Sequence, residues 1–291
     1  MTYIYNQKSY GCPVCCKYCV VTKINSRRQM WNKRTLIGIN KAVTILNPPP
    51  DMADEQAVRD FYNFPLELLE GDFVGFNAIS DPFWPKYRKE LDYFMANVPQ
   101  IAKLVTCVTK MNPPDSVLTK LALIPNFRLV VSITGLDTLE NMKTTDRLDL
   151  LKRAKDLGIK AFPLCHPYIS GMSDLSFLKE LKNLGYEYID VKGLRYNDET
   201  MRTWMPEKSR FLYIGKGDQE NLVEDGWREK IKESGLELLS LKKWYQKDHS
   251  LTPSLSYEEA ARKVDKLLEI ANITSSDTDS AVIEAAIGRR L

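Results

Sequence analysis

The chain has 291 residues, 44% of them hydrophobic and 27% charged, with a formal net charge of +3. That composition fits an ordinary globular protein of one large or two small domains, and the small net charge does not by itself imply nucleic-acid binding. No apolar run approaches the roughly 20 residues that cross a bilayer. The opening Met1-Thr2-Tyr3-Ile4-Tyr5-Asn6 lacks the charged and apolar regions of a signal peptide, so a cytoplasmic setting without a membrane partner is expected.

In chain order, predicted strands cover residues 2–6, 73–79, 103–109, 128–134, 159–165 and 187–192, with weaker ones at 211–214 and 236–241. Helical spacing separates them. Residues 149–158 and 176–185 each read as a helix ending on glycine, Gly158 and Gly185, followed at once by a strand. Strand-then-helix order with near-continuous apolar strands predicts a parallel sheet, open or closed into a barrel. Pro48-Pro49-Pro50 and Asn112-Pro113-Pro114 mark loops. From residue 256 the tail reads as a helix over 257–271, a polar break and a short helix.

Charge is unevenly spread. Residues 1–50 hold Lys8, Lys17, Lys23, Arg27, Arg28, Lys33, Arg34 and Lys41 and no acidic residue. Such a stretch is either a solvated basic helix face or a surface for an anionic partner.

Cysteine usage carries the chemistry. Four of the six cysteines lie within eight residues, in Gly11-Cys12-Pro13-Val14-Cys15-Cys16-Lys17-Tyr18-Cys19, and Cys107 and Cys165 lie apart. A secreted disulfide framework would spread them along the chain. A structural zinc site prefers two separated pairs, and adjacent Cys15 and Cys16 would strain a tetrahedron. A bacterial ferredoxin run fails because Tyr18 occupies one of its positions. A redox pair of Cys16 and Cys19 lacks its usual strand-then-helix context. Cys12, Cys16 and Cys19, spaced C-x3-C-x2-C with Tyr18 before the last cysteine and a strand before the loop, resemble the radical S-adenosylmethionine superfamily.

The resemblance implies an α/β fold, a partial (β/α)6 TIM-type barrel over residues 1–200 with a C-terminal helical extension over 201–291. It implies a [4Fe–4S] cluster on Cys12, Cys16 and Cys19 with one iron left open for S-adenosylmethionine. Cys15 is expected to point away as a bystander. In place of the Gly-Gly-Glu-type motif of most relatives, this chain has Asn77-Ala78-Ile79-Ser80-Asp81-Pro82-Phe83, similar to the spore photoproduct lyase branch. Asn77, Ser80 and Asp81 are then candidates near the methionyl ammonium, although Asp81 before Pro82 also reads as a helix start. The same branch implies Lys110 and Ser132, with Thr134 beside it, for the methionyl carboxylate, and Tyr18 as the cofactor-facing aromatic.

Ligands gather at the C-terminal ends of parallel strands. That rule nominates Cys165, His166 and Tyr168 as catalytic candidates: His166 as acid or base, Cys165 or a tyrosine as hydrogen-atom donor. The photoproduct lyases carry a donor cysteine near their second strand. None lies there in this chain, which weakens a DNA-repair reading. No cysteine follows Cys165, so a minimal core with one cluster is expected. The expected substrate is a small molecule, anionic and phosphorylated or nucleotide-like, and the expected electron donor is of the flavodoxin or ferredoxin type. A peptide or nucleic-acid substrate is the alternative, and a zinc-stabilised binding module a remote one.

Overall fold

The computed structural model describes residues 2–4, 12–19, 34–39, 42–46, 66–76, 80–195, 203–210 and 220–249. Asn77, the strand expected at 211–214, the helix expected at 257–271 and most of the basic residues of the first 50 lie outside the described residues. The chain forms two compact units that interleave in sequence. One holds residues 1–11, 25–107 and 252–291, and the other holds 12–24 and 108–251. The boundary expected near residue 200 lies outside the described residues.

In the first unit, β1 (Thr2–Ile4) pairs antiparallel with β2 (Arg34–Ile39), which pairs antiparallel with β3 (Ala42–Leu46). The acid-free stretch thus contains a pair of strands among its described residues. On its other side β1 runs parallel to β4 (Phe73–Phe76), and β4 runs parallel to the start of β5 (Leu104–Thr109). Helix α1 (Arg88–Asn97) buries Leu91 and Phe94, and the Phe94 ring lies 5.2 Å from that of Phe76. Ser80 and Asp81 are buried in this unit. The Asp81 carboxylate accepts from Phe83 N–H at 3.0 Å, and Trp84 N–H donates to the Asp81 carbonyl at 3.2 Å. The helix-start reading of Asp81 therefore has a geometric basis, as an Asx turn that leads into the helical segment.

The second unit is a parallel βα series. After the end of β5 come α2 (Asp115–Ala122), β6 (Phe127–Ser132), α3 (Thr144–Asp156), β7 (Ala161–Tyr168), α4 (Phe177–Asn183) and β8 (Tyr188–Arg195). A short α5 (Glu207–Arg210), β9 (Glu220–Asn221), α6 (Trp227–Glu233), β10 (Glu237–Leu238) and α7 (Leu241–His249) follow. Strands β6, β7, β8 and β10 pair parallel in that order, and β9 adds antiparallel to β8. The six core strands expected from the sequence are β1, β4, β5, β6, β7 and β8. The fold class is α/β, with parallel strands and intervening helices, as a partial (β/α)6 barrel requires.

Every residue of β6 is buried, as a strand covered on both faces must be. Helix α3 buries Arg147, Leu150, Leu151 and Ala154, one stripe at helical spacing. Full burial of each leucine contributes roughly 1.5–3 kcal/mol. The helix stops at Gly158, whose φ of +74° suits a left-handed C-terminal cap.

Gly135 follows β6 with φ +65°. A Cβ there would lie 2.0 Å from the Asp174 carbonyl oxygen, so the backbone of residues 134–136 is pressed directly against the loop before α4. Gly135→Ala should cost more than the roughly 1–3 kcal/mol of left-handed strain alone. Gly158→Ala, where a Cβ meets nothing within 4 Å, should show only that strain. Urea unfolding of both variants measures the difference, and equal losses would contradict the clash.

Candidate functional site

All groups of the site belong to the second unit. The cysteine loop is two consecutive turns. Cys15 N–H donates to the Cys12 carbonyl at 3.3 Å, and Cys19 N–H to the Cys16 carbonyl at 3.0 Å. Cys15 has φ +48°, a left-handed backbone that disfavours most L-residues. Its thiol is exposed and donates to the Cys12 carbonyl at 3.2 Å, while Cys12, Cys16 and Cys19 are half-buried.

The loop is gripped by the segment after β6. Lys17 N–H donates to the Leu139 carbonyl, and Asn141 N–H to the Val14 carbonyl, both at 3.0 Å. The Asn141 side-chain amide reaches the Pro13 carbonyl at 3.1 Å. Tyr18 is buried with Leu136, Leu139, Ile169, Leu194 and Met205, and Cys16 packs against that cluster.

Beneath the loop lies a buried polar network. The Tyr18 hydroxyl donates to Glu140 Oε1, as does Thr134 Oγ1 at 2.6 Å. Lys110 Nζ lies 3.2 Å from the same oxygen and 2.8 Å from Ser132 Oγ. It also sits over the Tyr18 ring, 5.4 Å from its centroid. Arg147 Nη2 pairs with Glu140 Oε2 and donates to the Met142 carbonyl at 2.8 Å. The side chains of Glu140 and Arg147 are both fully buried.

Electrostatics follow from burial. Burial pushes the Cys16 thiol far up, with Lys110 opposing and Glu140, Cys19 and Cys12 reinforcing, so the other two loop sulfurs lie within electrostatic reach of Cys16. Burial pushes Lys110 down to about 8, with Cys16 pulling it back up. Burial raises Glu140 to about 7 against the pull of the Arg147 guanidinium.

Among the described residues, no three His, Cys, Asp or Glu side chains converge closely enough to hold a single metal ion. A [4Fe–4S] cluster makes a different demand, because its thiolates bind separate irons and stand further apart. Three half-buried thiols in one anchored loop, beside a cation, have the donor chemistry for that group.

The remaining candidates separate. Cys165 is fully buried, within electrostatic reach of Lys110 and Glu140, and burial pushes its thiol up to about 12. His166, next in sequence, projects from the other side of β7. Its Nε2 lies 3.3 Å from Asp190 Oδ2, and Leu241 N–H at the start of α7 donates to the same oxygen at 2.9 Å. Phe162 lies on that side too and stacks on Trp244 of α7 with centroids 4.8 Å apart. Tyr168 donates its hydroxyl to Asp225 at 2.7 Å, where Ser170 Oγ also binds. Ser132 and Lys110, 22 positions apart in sequence, are brought together. Glu140, Arg147, Asp190 and Asp225 were not anticipated.

No family model and no curated protein matches the chain. Solved structures resemble it. Spore photoproduct lyase complexed with dinucleoside spore photoproduct matches with TM-score 0.46 and 14% identity, over 82% of this chain and 72% of that one. SuiB of Streptococcus suis bound to S-adenosylmethionine matches with TM-score 0.42 and 15% identity, over 68% of this chain and 41% of that one. The chain thus spans about two fifths of the length of SuiB. These are likenesses at low identity, and the chemistry of the site rests on its own geometry.

Burial works against the Asp190 carboxylate, yet the adjacent His166 imidazole and the hydrogen bond from Leu241 N–H hold it below its ordinary range. A depressed folded pKa contributes stability that is complete above the unfolded value of about 3.9 and is lost as pH falls through the folded one. Asp190→Asn should cost roughly 1–3 kcal/mol at pH 7. The gap to wild type should narrow as pH drops below the carboxylate range, as read by urea unfolding across pH. A gap independent of pH would contradict the lowered Asp190 carboxylate.

Proposed function

We propose that the chain is a radical S-adenosylmethionine enzyme in which Cys12, Cys16 and Cys19 hold a [4Fe–4S] cluster and Lys110 with Ser132 receives the methionyl carboxylate. The observation that supports it most is the Lys110 ammonium, 2.8 Å from Ser132 Oγ and lying over the ring of Tyr18, the aromatic of the cysteine loop. A cation and a hydroxyl are a suitable pair for a carboxylate, and here they stand beside the thiol donors. Bound there, the cluster and S-adenosylmethionine would supply a 5′-deoxyadenosyl radical for hydrogen abstraction.

The chain's own residues bind, orient and shield. Cys15, exposed and turned to its own loop backbone, is left out of the ligand set. Lys110 and Ser132 fix the carboxylate end of the cofactor, and Tyr18 and its apolar neighbours keep water from the loop. Of the three residues expected to be catalytic, Cys165 is retained in that role. Its thiol, kept protonated by burial, would offer an S–H hydrogen to a carbon radical. The resulting thiyl returns to thiol with an electron and a proton by way of a ferredoxin- or flavodoxin-type donor. His166 is assigned to the α7 side of the strand and Tyr168 to Asp225.

The proposed substrate is a small anionic molecule, because the first 50 residues carry eight basic side chains and no acidic ones. The same stretch suits an acidic electron donor. Among the described residues no helix is long and apolar enough to cross a membrane. A cytoplasmic setting is part of the proposal and agrees with six free cysteines.

Anaerobic reconstitution with iron and sulfide should give a brown protein that forms 5′-deoxyadenosine from S-adenosylmethionine only with a reductant. Alanine at Cys12, Cys16 or Cys19 should abolish both colour and product, and Cys15→Ala should keep them. Zinc near one per chain without iron would overturn the reading. Lys110→Met should weaken S-adenosylmethionine binding by about tenfold to a hundredfold, the loss of one charge-assisted hydrogen bond. Equilibrium dialysis on the reconstituted protein measures it, and unchanged affinity would remove Lys110 from the site.

A further inference from the structure

We infer that Glu140 is a positioning residue whose carboxylate fastens the Tyr18 end of the cysteine loop to the point that holds Lys110, so that thiol donors and anion site are set as one piece. The purpose of this arrangement, though not its geometry, rests on the radical S-adenosylmethionine reading.

Four side chains from four places in the sequence meet on this one carboxylate. Tyr18, Thr134 and Lys110 share Oε1, and Arg147 takes Oε2. Only Tyr18 belongs to the cysteine loop. The backbone repeats the grip on either side, since Leu139 accepts from Lys17 and Asn141 donates to Val14. Glu140 is thus the middle of a three-residue clasp, and its side chain is the only member that also reaches the cation of the anion site.

Stability alone does not account for the network. Arg147 is fully buried, and among the described residues its Nε and Nη1 have no hydrogen-bond partner. Each unpaired buried donor costs roughly 1–3 kcal/mol. Replacing a buried ion pair by apolar side chains of similar volume is often neutral or stabilising. What an apolar core would not provide is a fixed orientation for both Tyr18 and Lys110. Among the described residues, two cations, Lys110 and Arg147, stand against this one carboxylate.

The test uses the full metal-free chain, thiol alkylation with iodoacetamide and mass spectrometry of the cysteine peptides. Tyr18→Phe and Glu140→Gln should each speed alkylation of Cys12, Cys16 and Cys19 by about tenfold, the effect of losing one buried charge-assisted hydrogen bond. Cys107 and Cys165, fully buried, should keep their wild-type rates and report any global loosening. The Tyr18→Phe/Glu140→Gln double variant should label no faster than Glu140→Gln, because both remove the same link. Thr134→Val also deprives Glu140 Oε1 of a hydroxyl, but not one on the loop, and should leave the loop rates unchanged. The inference is overturned if Tyr18→Phe labels at the wild-type rate, if Thr134→Val speeds the loop as much, or if the double variant is additive. Should Glu140→Gln unfold, the contrast between Tyr18→Phe and Thr134→Val decides alone. No iron is involved, so failure of wild type to assemble a cluster would count against the proposed function and not against this role of Glu140.

Discussion

Glu140 has no access to water, and a carboxylate so placed must find all its hydrogen-bond donors within the protein. That requirement ties together the structure around it. It draws the end of β5, the residues after β6, the first turn of α3 and the cysteine loop to a single point. The alternation of residues 132–134 puts Ser132 and Thr134 on one side, with Lys110 bridging from Ser132 to the carboxylate. Gly135 then turns the chain against the loop before α4, and residues 136–142 close over the cysteines. Backbone geometry and charge satisfaction are here the same constraint.

Much of the fold was legible in the sequence because its signals are local. Continuous apolar runs marked the six core strands, and glycines marked the ends of two helices. The spacing of Cys12, Cys16 and Cys19 is equally local and needs no tertiary information. The network behind the loop is different in kind. Glu140 and Tyr18 are 122 positions apart, and nothing in either neighbourhood names the other. One hint was present: Arg147 shares the apolar stripe of Leu150, Leu151 and Ala154, and a charge on the buried face of a helix requires a buried partner. The strands β2 and β3 were missed for another reason. The two apolar runs that form them are only six and five residues long, in a stretch dominated by its charges.

Adjacency in sequence also proved a poor guide along β7. Cys165, His166 and Tyr168 were grouped because they follow one another at a strand end. The pleat sends Cys165 and His166 to opposite sides. The one joins the Lys110 surroundings, and the other holds Asp190 beneath the start of α7. Tyr168, beyond a register shift, is taken up by Asp225. Strand-end position nominates residues, and parity then divides them between ligand and helix layers.

The interleaving of the two units has a consequence in time. The cysteine loop is synthesised more than a hundred residues before its clasp at Leu139, Glu140 and Asn141. At roughly 5–20 residues per second, the four thiols spend on the order of 6 to 25 s in the growing chain before their anchor exists. During that interval they are as reactive as any exposed thiol. An oxidant met during that interval would reach the thiols before their anchor exists. The loop is thus a more open target on the nascent chain than on the finished one.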